Sequence, residues 1–258
     1  MFDTLGFIGG GRIAKIILGG FERKENRPAK VIVSDINTDV LDDLKKRFPR
    51  IEAVAGDLKK PAASEIVFLA LHPPAIMGIL GEIKSHLRRD TIVVSLAPKI
   101  SIAQLSSGLS GFSRIVRMIP NAPSIVNQGF NPVSFSSTFS MDDKKKIRLW
   151  FEDMGDCPEV AEEKLEGYAI ITAMGPTYFW FQFYELKELG MVFGMAPEEV
   201  EKALVGMMKG ALKTISDSGL SPGEVMDLIP VKPLGEEEGN IRNLYRTRLQ
   251  ILHDRLKS

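Results

Sequence analysis

The stretch "LGFIGGGRIAKIILGG" occupies residues 5–20. A short apolar run, Leu5–Ile8, gives way to three glycines and then to a helical pattern from Arg12. Gly9, Gly11 and Ala14 have the spacing G-x-G-x-x-A. Between a strand and a helix, such glycines permit a tight turn and close approach of backbone to a pyrophosphate. The first helical N–H groups and the helix dipole then favour the phosphate charge. A glycine turn without a ligand has the same composition, so context decides. A second apolar run, Val31–Ser34, follows the helix and ends in Asp35, about 20 residues past Ala14, where a carboxylate can hold the ribose hydroxyls of NAD. The same carboxylate would repel a 2′-phosphate, and no arginine follows it. Arg12, in the turn itself, has reach to a pyrophosphate or a 2′-phosphate. NAD(H) or NADP(H) is the expected cofactor, with a lean to NAD from Asp35.

Outward from this turn the first part of the chain alternates strands with helices. Leu5–Ile8, Val31–Ser34, Ile66–Leu71 and Thr91–Leu96 are short, mostly β-branched runs bounded by turn residues or charge. Arg12–Phe21 and Asp39–Phe48 are helical, the second stopped by Pro49. Strands alternating with helices predict an α/β domain with a Rossmann-type parallel sheet.

The pattern changes near Glu159–Glu166, and only helices are expected beyond. Leu165–Met191 is apolar on nearly every face and contains Tyr178, Phe179, Trp180, Phe181, Phe183 and Tyr184. Pro197–Ile215 is amphipathic and starts with a proline at a first helical position. Ser221–Glu224 has capping-box spacing, and Ile241–Leu256 is the last helix. A helix apolar all round must be buried, which a thin helical layer does poorly. Two domains are expected: residues 1–160, dinucleotide-binding, and residues 161–258, all-helical, serving dimerisation and substrate. A homodimer or larger homo-oligomer follows.

Composition removes several functions. Hydrophobic residues make up 44% of the 258 and charged residues 26%, enough for a real core. The 33 basic and 33 acidic residues cancel, so no global field draws the chain to nucleic acid. Cys157 is alone, and His72, His86 and His253 are scattered, so no metal site is expected. No apolar run has the length of a membrane span. Asp3 stands where a secretory signal would carry positive charge, and a cytoplasmic protein is expected.

A second segment is more specific. "RIVRMIPNAPSIVNQGF", Arg114–Phe130, resembles the V-R-x-M-P-N-x-P-x-x-V-x-x-G signature of pyrroline-5-carboxylate reductases: Arg117, Pro120, Asn121, Pro123, Val126 and Gly129 match. "LGFIGGGRIA" resembles that family's G-F-I-G-x-G-N-M-A, with Arg12 and Ile13 replacing Asn and Met. "FLALHPPAI" resembles its A-V-K-P turn, with His72 at the lysine position, and "VVSLAPKISIAQL" resembles S-x-A-A-G-I-S-I-x-x-L. The resemblance implies an NAD(P)H-dependent oxidoreductase that reduces the C=N bond of a cyclic imine carboxylate, as in proline biosynthesis, and a helical domain forming an interlocked dimer. It implies cofactor contacts from Gly9, Gly10, Gly11, Arg12, Ile13, Asp35, Ala70, Leu71, His72, Pro73, Ala97 and Asn121. It places Asn121 and Thr172 at the reacting centre.

Two departures fall where that family binds substrate. Its T-A-L-S-G-S-G-P-A-Y segment is shorter here, "TAMGPTYFW", Thr172–Trp180, and Pro176 should break or kink the helix. Its S-P-G-G-T-T loop, which cradles the substrate carboxylate, reads "IPVKPLGEEEGN", Ile229–Asn240. The threonines are gone, and Glu236, Glu237 and Glu238 stand nearby, either as a solvated loop or as a feature favouring a cationic substrate. The expected activity is therefore reduction of an imine, slow or absent on pyrroline-5-carboxylate. The contrasting expectation is a dinucleotide-binding sensor or scaffold without catalysis.

Overall fold

The computed structural model of the chain describes residues 2–23 and 27–257. It divides into two compact units, residues 1–174 with 253–258, and residues 175–252. The first unit thus continues past the expected boundary at 160, because the segment after it carries the carboxylates that pair with a buried arginine of the sheet.

In the first unit the chain runs β1 (Thr4–Ile8), α1 (Arg12–Glu22), β2 (Lys30–Asp35), α2 (Thr38–Arg47), β3 (Glu52–Ala55), α3 (Lys59–Ala62), β4 (Ile66–Leu69), α4 (Pro73–Ile83), β5 (Ile92–Ser95), α5 (Ile102–Gly108) and β6 (Ile115–Met118). There follow β7 (Gly129–Phe130), β8 (Val133–Phe135), α6 (Met141–Phe151), β9 (Gly155–Asp156) and α7 (Leu165–Tyr168). The main sheet has the order β3-β2-β1-β4-β5-β6-β8, parallel except for β8. This is the doubly wound Rossmann arrangement, whose order reverses between β1 and β4.

Central strands buried on both faces read as largely apolar runs: β4 and β5 are buried throughout, and so is β6, although Arg117 interrupts its run. One core layer joins Phe7, Phe68, Phe151 and Trp150, with α1 and α6 covering that face. The other joins Ile8, Val67, Leu80, Val93 and Leu105 under α4 and α5. Caps set the helix starts: Asn37 Oδ1 accepts the Asp39 N–H at the head of α2, and Ser101 with Gln104 forms a capping box for α5.

The "GG" that closes the opening stretch serves packing. A side chain at Gly20 would lie 2.6 Å from the Ser124 carbonyl oxygen. Glycine there lets the single-turn 3-10 segment Ala122–Val126 settle on α1. Asn127 locks the contact, its amide donating to the carbonyls of Gly20 (2.9 Å) and Asp153 (2.6 Å).

The second unit holds α8 (Trp180–Val192), α9 (Pro197–Asp217), α10 (Pro222–Asp227) and most of α11 (Glu238–Lys257). The apolar run Leu165–Met191 comprises α7, a π-helical turn at Ala169–Ala173, a 3-10 turn at Gly175–Tyr178 and α8. Pro176 has no N–H and ends the regular pattern, as the sequence implied. The acidic run proves to be a helix start: Glu237 accepts from Asn240 (2.9 Å), and Glu238 pairs with Arg242 (2.6 Å) one turn on. Carboxylates in a first turn complement the helix dipole.

Candidate functional site

Ligands of doubly wound sheets bind outside the carboxyl ends of the strands, at the switch point. Here that position is a cavity of about 500 Å³ bounded by Gly11, Arg12, Ile13, Lys15, Val40, Ala70–Pro73 and Leu96–Pro98. Its walls are the turns after β1, β4 and β5.

The turn after β1 is built by its glycines. Gly9 has φ +103°, and a side chain there would lie 2.4 Å from the Ala70 carbonyl oxygen. Only glycine fits. A side chain at Gly11 meets nothing within 4 Å, so its space is open on the cavity side. The N–H groups of Gly11, Arg12 and Ile13 have no acceptor among the described residues. These are the free donors of a helix N-terminus.

The other helix facing the cavity is different. His72 stands at the N-cap position of α4 without a side-chain cap bond, Pro73 and Pro74 lack N–H groups, and the Ala75 N–H already reaches the His72 carbonyl (3.0 Å). A pyrophosphate therefore finds donors at α1 and none at the first two positions of α4. Arg12 and His72 are exposed, while Lys15 is paired with Asp43. No carboxylate lines the cavity among the described residues, so its charge suits an anion.

Asp35 ends β2. One carboxylate oxygen accepts the Gly10 N–H at 2.7 Å, and the other accepts the Asn37 N–H at 2.9 Å. Each oxygen keeps a further lone pair for a ribose hydroxyl. The same bond ties the glycine turn to β2.

Asn121 and Thr172 are brought together, and neither is among the residues that bound the cavity. Asn121 is buried. Its amide oxygen accepts the Phe130 N–H (3.0 Å), and its amide nitrogen donates to the Thr172 carbonyl (3.3 Å). The Thr172 hydroxyl donates back to the Tyr168 carbonyl (2.8 Å) inside the π-helical turn. Asn131, buried beside them, accepts the Asn121 N–H (3.1 Å) and the Ser124 hydroxyl (2.8 Å).

A cluster that sequence reasoning missed sits behind the β5 turn. Arg117 of β6, 3% exposed, pairs with Glu162 (3.0 Å) and Glu166 (2.6 Å). Those carboxylates accept the Ile102 N–H (2.7 Å) and the Lys99 N–H (3.1 Å). Burial acts to raise the Glu166 pKa, but the hydrogen bond and charge of Arg117 outweigh it and hold the carboxyl below its ordinary range. Cys157 is no nucleophile: burial pushes its thiol up to about 12.

Fold, glycine turn and cation-lined cavity together define a dinucleotide-dependent oxidoreductase of Rossmann type. Residues 4–99 match the family described as "NADP oxidoreductase coenzyme F420-dependent". The chain is 26% identical over 230 residues to a pyrroline-5-carboxylate reductase of Escherichia coli (strain K12), covering 89% of this chain and 85% of the relative. It is 25% identical over 244 residues to one from Corynebacterium melassecola, covering 93% and 90%. The solved pyrroline-5-carboxylate reductase of Coxiella burnetii superposes with TM-score 0.72 at 26% identity, over 99% of this chain and 97% of that one. The Plasmodium falciparum enzyme, solved with NADP bound, shares the fold with TM-score 0.77 at 19% identity, over 98% and 97%. Over most of its length the chain is similar to pyrroline-5-carboxylate reductases.

Proposed function

We propose that the chain reduces the C=N bond of a cyclic imine carboxylate, with NADH preferred over NADPH. The observation that carries the redox half is the turn after β1, with open space at Gly11 and free donors at Gly11–Ile13 beside an acid-free cavity. The substrate half rests on the relatives, all named for pyrroline-5-carboxylate. A bound nicotinamide supplies a hydride to the imine carbon, and a proton added at nitrogen completes the ring amine.

The residues have separable roles in this reading. Gly11, Arg12 and Ile13 bind the pyrophosphate, and Asp35 binds the ribose and disfavours a 2′-phosphate. Ala70, Leu71, Pro73 and Ala97 form the apolar wall that orients the ring and excludes water. His72, exposed at the cavity and free of a capping bond, is the candidate proton donor. Asn121 and Thr172 shape the reacting centre through their mutual bond, because much of their hydrogen-bonding capacity is committed.

Steady-state assays with pyrroline-5-carboxylate and each reduced cofactor test the proposal. Turnover is expected well below the ~10 s⁻¹ typical of enzymes. The two threonine donors are missing, and each such donor is worth roughly 2.7–4 kcal/mol when it acts on the transition state. Tight cofactor binding without turnover of any cyclic imine would replace the proposal with a sensor or scaffold. Turnover near the typical value would refute the importance given to the threonines.

A further inference from the structure

Lys99 has φ +77°, one of three described non-glycine residues in the left-handed region; the others are Ser110 and Asn127. Asparagine adopts this region readily, whereas lysine does so at a cost. Lys99 alone of the three adjoins the cavity, directly after Pro98 in its wall. The family motif quoted above has glycine at this place, the residue the backbone asks for.

The conformation is imposed from behind. The Lys99 N–H is held by Glu166 (3.1 Å) and the Ile102 N–H by Glu162 (2.7 Å), and both carboxylates are fixed by buried Arg117. Strained residues persist where their surroundings over-determine them, and they cluster at functional sites. The Lys99 side chain is exposed and has no ion-pair partner among the described residues. The cation of the related motif is also missing from its usual turn, since His72 stands there.

Strand order says which anion a cation at this place meets. Across the carboxyl edge the sequence is Asp35 after β2, the glycine turn after β1, the His72 turn after β4 and Lys99 after β5. A dinucleotide with its adenosine ribose at Asp35 and its pyrophosphate at Gly11 lays its other half over β4 and β5. Lys99 is therefore at the reacting end, beyond the phosphates. We propose that Lys99 is a substrate-binding residue that receives the carboxylate of the imine acid, replacing the threonine loop this chain lacks. This rests on the reaction proposed above and is tested apart from it.

The probe is cyclopentanecarboxylate, a ring acid with no reacting bond, titrated calorimetrically into the protein saturated with oxidised cofactor. Cyclopentanecarboxamide is its neutral counterpart. Lys99→Gly relieves the backbone and removes the charge; Lys99→Met keeps the strain and removes the charge. Both are expected to weaken the carboxylate roughly 10-fold or more, to leave the carboxamide within about twofold, and to leave cofactor affinity within about twofold. Lys99→Arg should retain most of the affinity. Lys99→Gly should unfold no earlier than wild type on heating. The proposal is overturned if wild type does not bind the carboxylate. It is also overturned if the charge-removing variants bind it as well as wild type, or if carboxamide or cofactor binding falls in parallel. Charge-dependent binding in a protein that reduces no imine would sustain Lys99 and remove the reaction. Imine reduction with an unchanged KM in Lys99→Gly would do the reverse.

Discussion

Gly9 and Gly11 stand two residues apart, and the structure gives them different tasks. Gly9 is required by the chain itself, with φ +103° and the Ala70 carbonyl where a side chain would be. Gly11 is required by nothing in the protein within 4 Å. Gly9→Ala is therefore expected to lower the unfolding temperature and to abolish cofactor binding as a consequence. Gly11→Ala should cost about 1 kcal/mol or less as a helix-cap change, yet weaken NADH strongly by filling the space the pyrophosphate needs. Thermal unfolding and fluorescence titration of both variants separate the two. Equal cofactor affinity in Gly11→Ala and wild type would remove the pyrophosphate from this turn. Asp35 combines both kinds of duty, since it holds the Gly10 N–H and offers lone pairs outward. Asp35→Ala should weaken NADH by about 10- to 150-fold, the range for a hydrogen bond to a charged group. NADPH should suffer less, because repulsion of its 2′-phosphate is relieved. A titration in which wild type prefers NADPH would transfer the deciding role to Arg12.

At the level of elements, the strands seen most readily in the sequence were β1, β2, β4 and β5, whose apolar runs are uninterrupted. β3 is half-exposed at an edge, so its short run carries little signal. β6 is entirely buried yet contains Arg117, which breaks the apolar run. Its partners Glu162 and Glu166 lie 45 and 49 residues away, a pairing no local pattern reveals. Arg117 was visible only as part of a motif, and its task is to fix the loop that bears Lys99. Removing one member of a buried pair leaves an uncompensated charge, which costs about 3–5 kcal/mol. In Glu166→Gln the arginine keeps Glu162 (3.0 Å) as a partner, so the stability lost at neutral pH is expected to be only a part of that range. Because the Glu166 carboxyl is held below its ordinary range in the folded chain, its contribution is present above that range. It is lost as pH falls through the lowered value. The gap between wild type and Glu166→Gln in urea unfolding should therefore narrow on acidification. A gap constant from neutral pH into acid would mean that the carboxylate is not what Arg117 needs.

Considered as a whole, the molecule has two units of unlike finish. The sheet unit hides its apolar residues in two core layers. The helical unit does not. Of the 13 residues of α8 only Gly190 is buried, where Val200 of α9 packs against it. Phe181 is 67% exposed and Tyr184 70%; Leu212 and Ile215 of α9 are exposed too. Among the described residues no helix is long and apolar enough to cross a membrane. Contiguous apolar surface of this kind marks an association site in a folded chain. A second copy of the chain is the occupant we expect, with an obligate interface of more than about 2,000 Å². Light scattering at micromolar concentration should give the mass of a dimer or larger assembly. Phe181→Glu places a charge on this exposed apolar face, and burying it against a second copy without a partner would be costly. The variant should lose assembly, either as a folded monomer or with loss of helix by circular dichroism. A wild-type monomer, or a Phe181→Glu protein that still assembles, would mean that something other than a second copy covers α8.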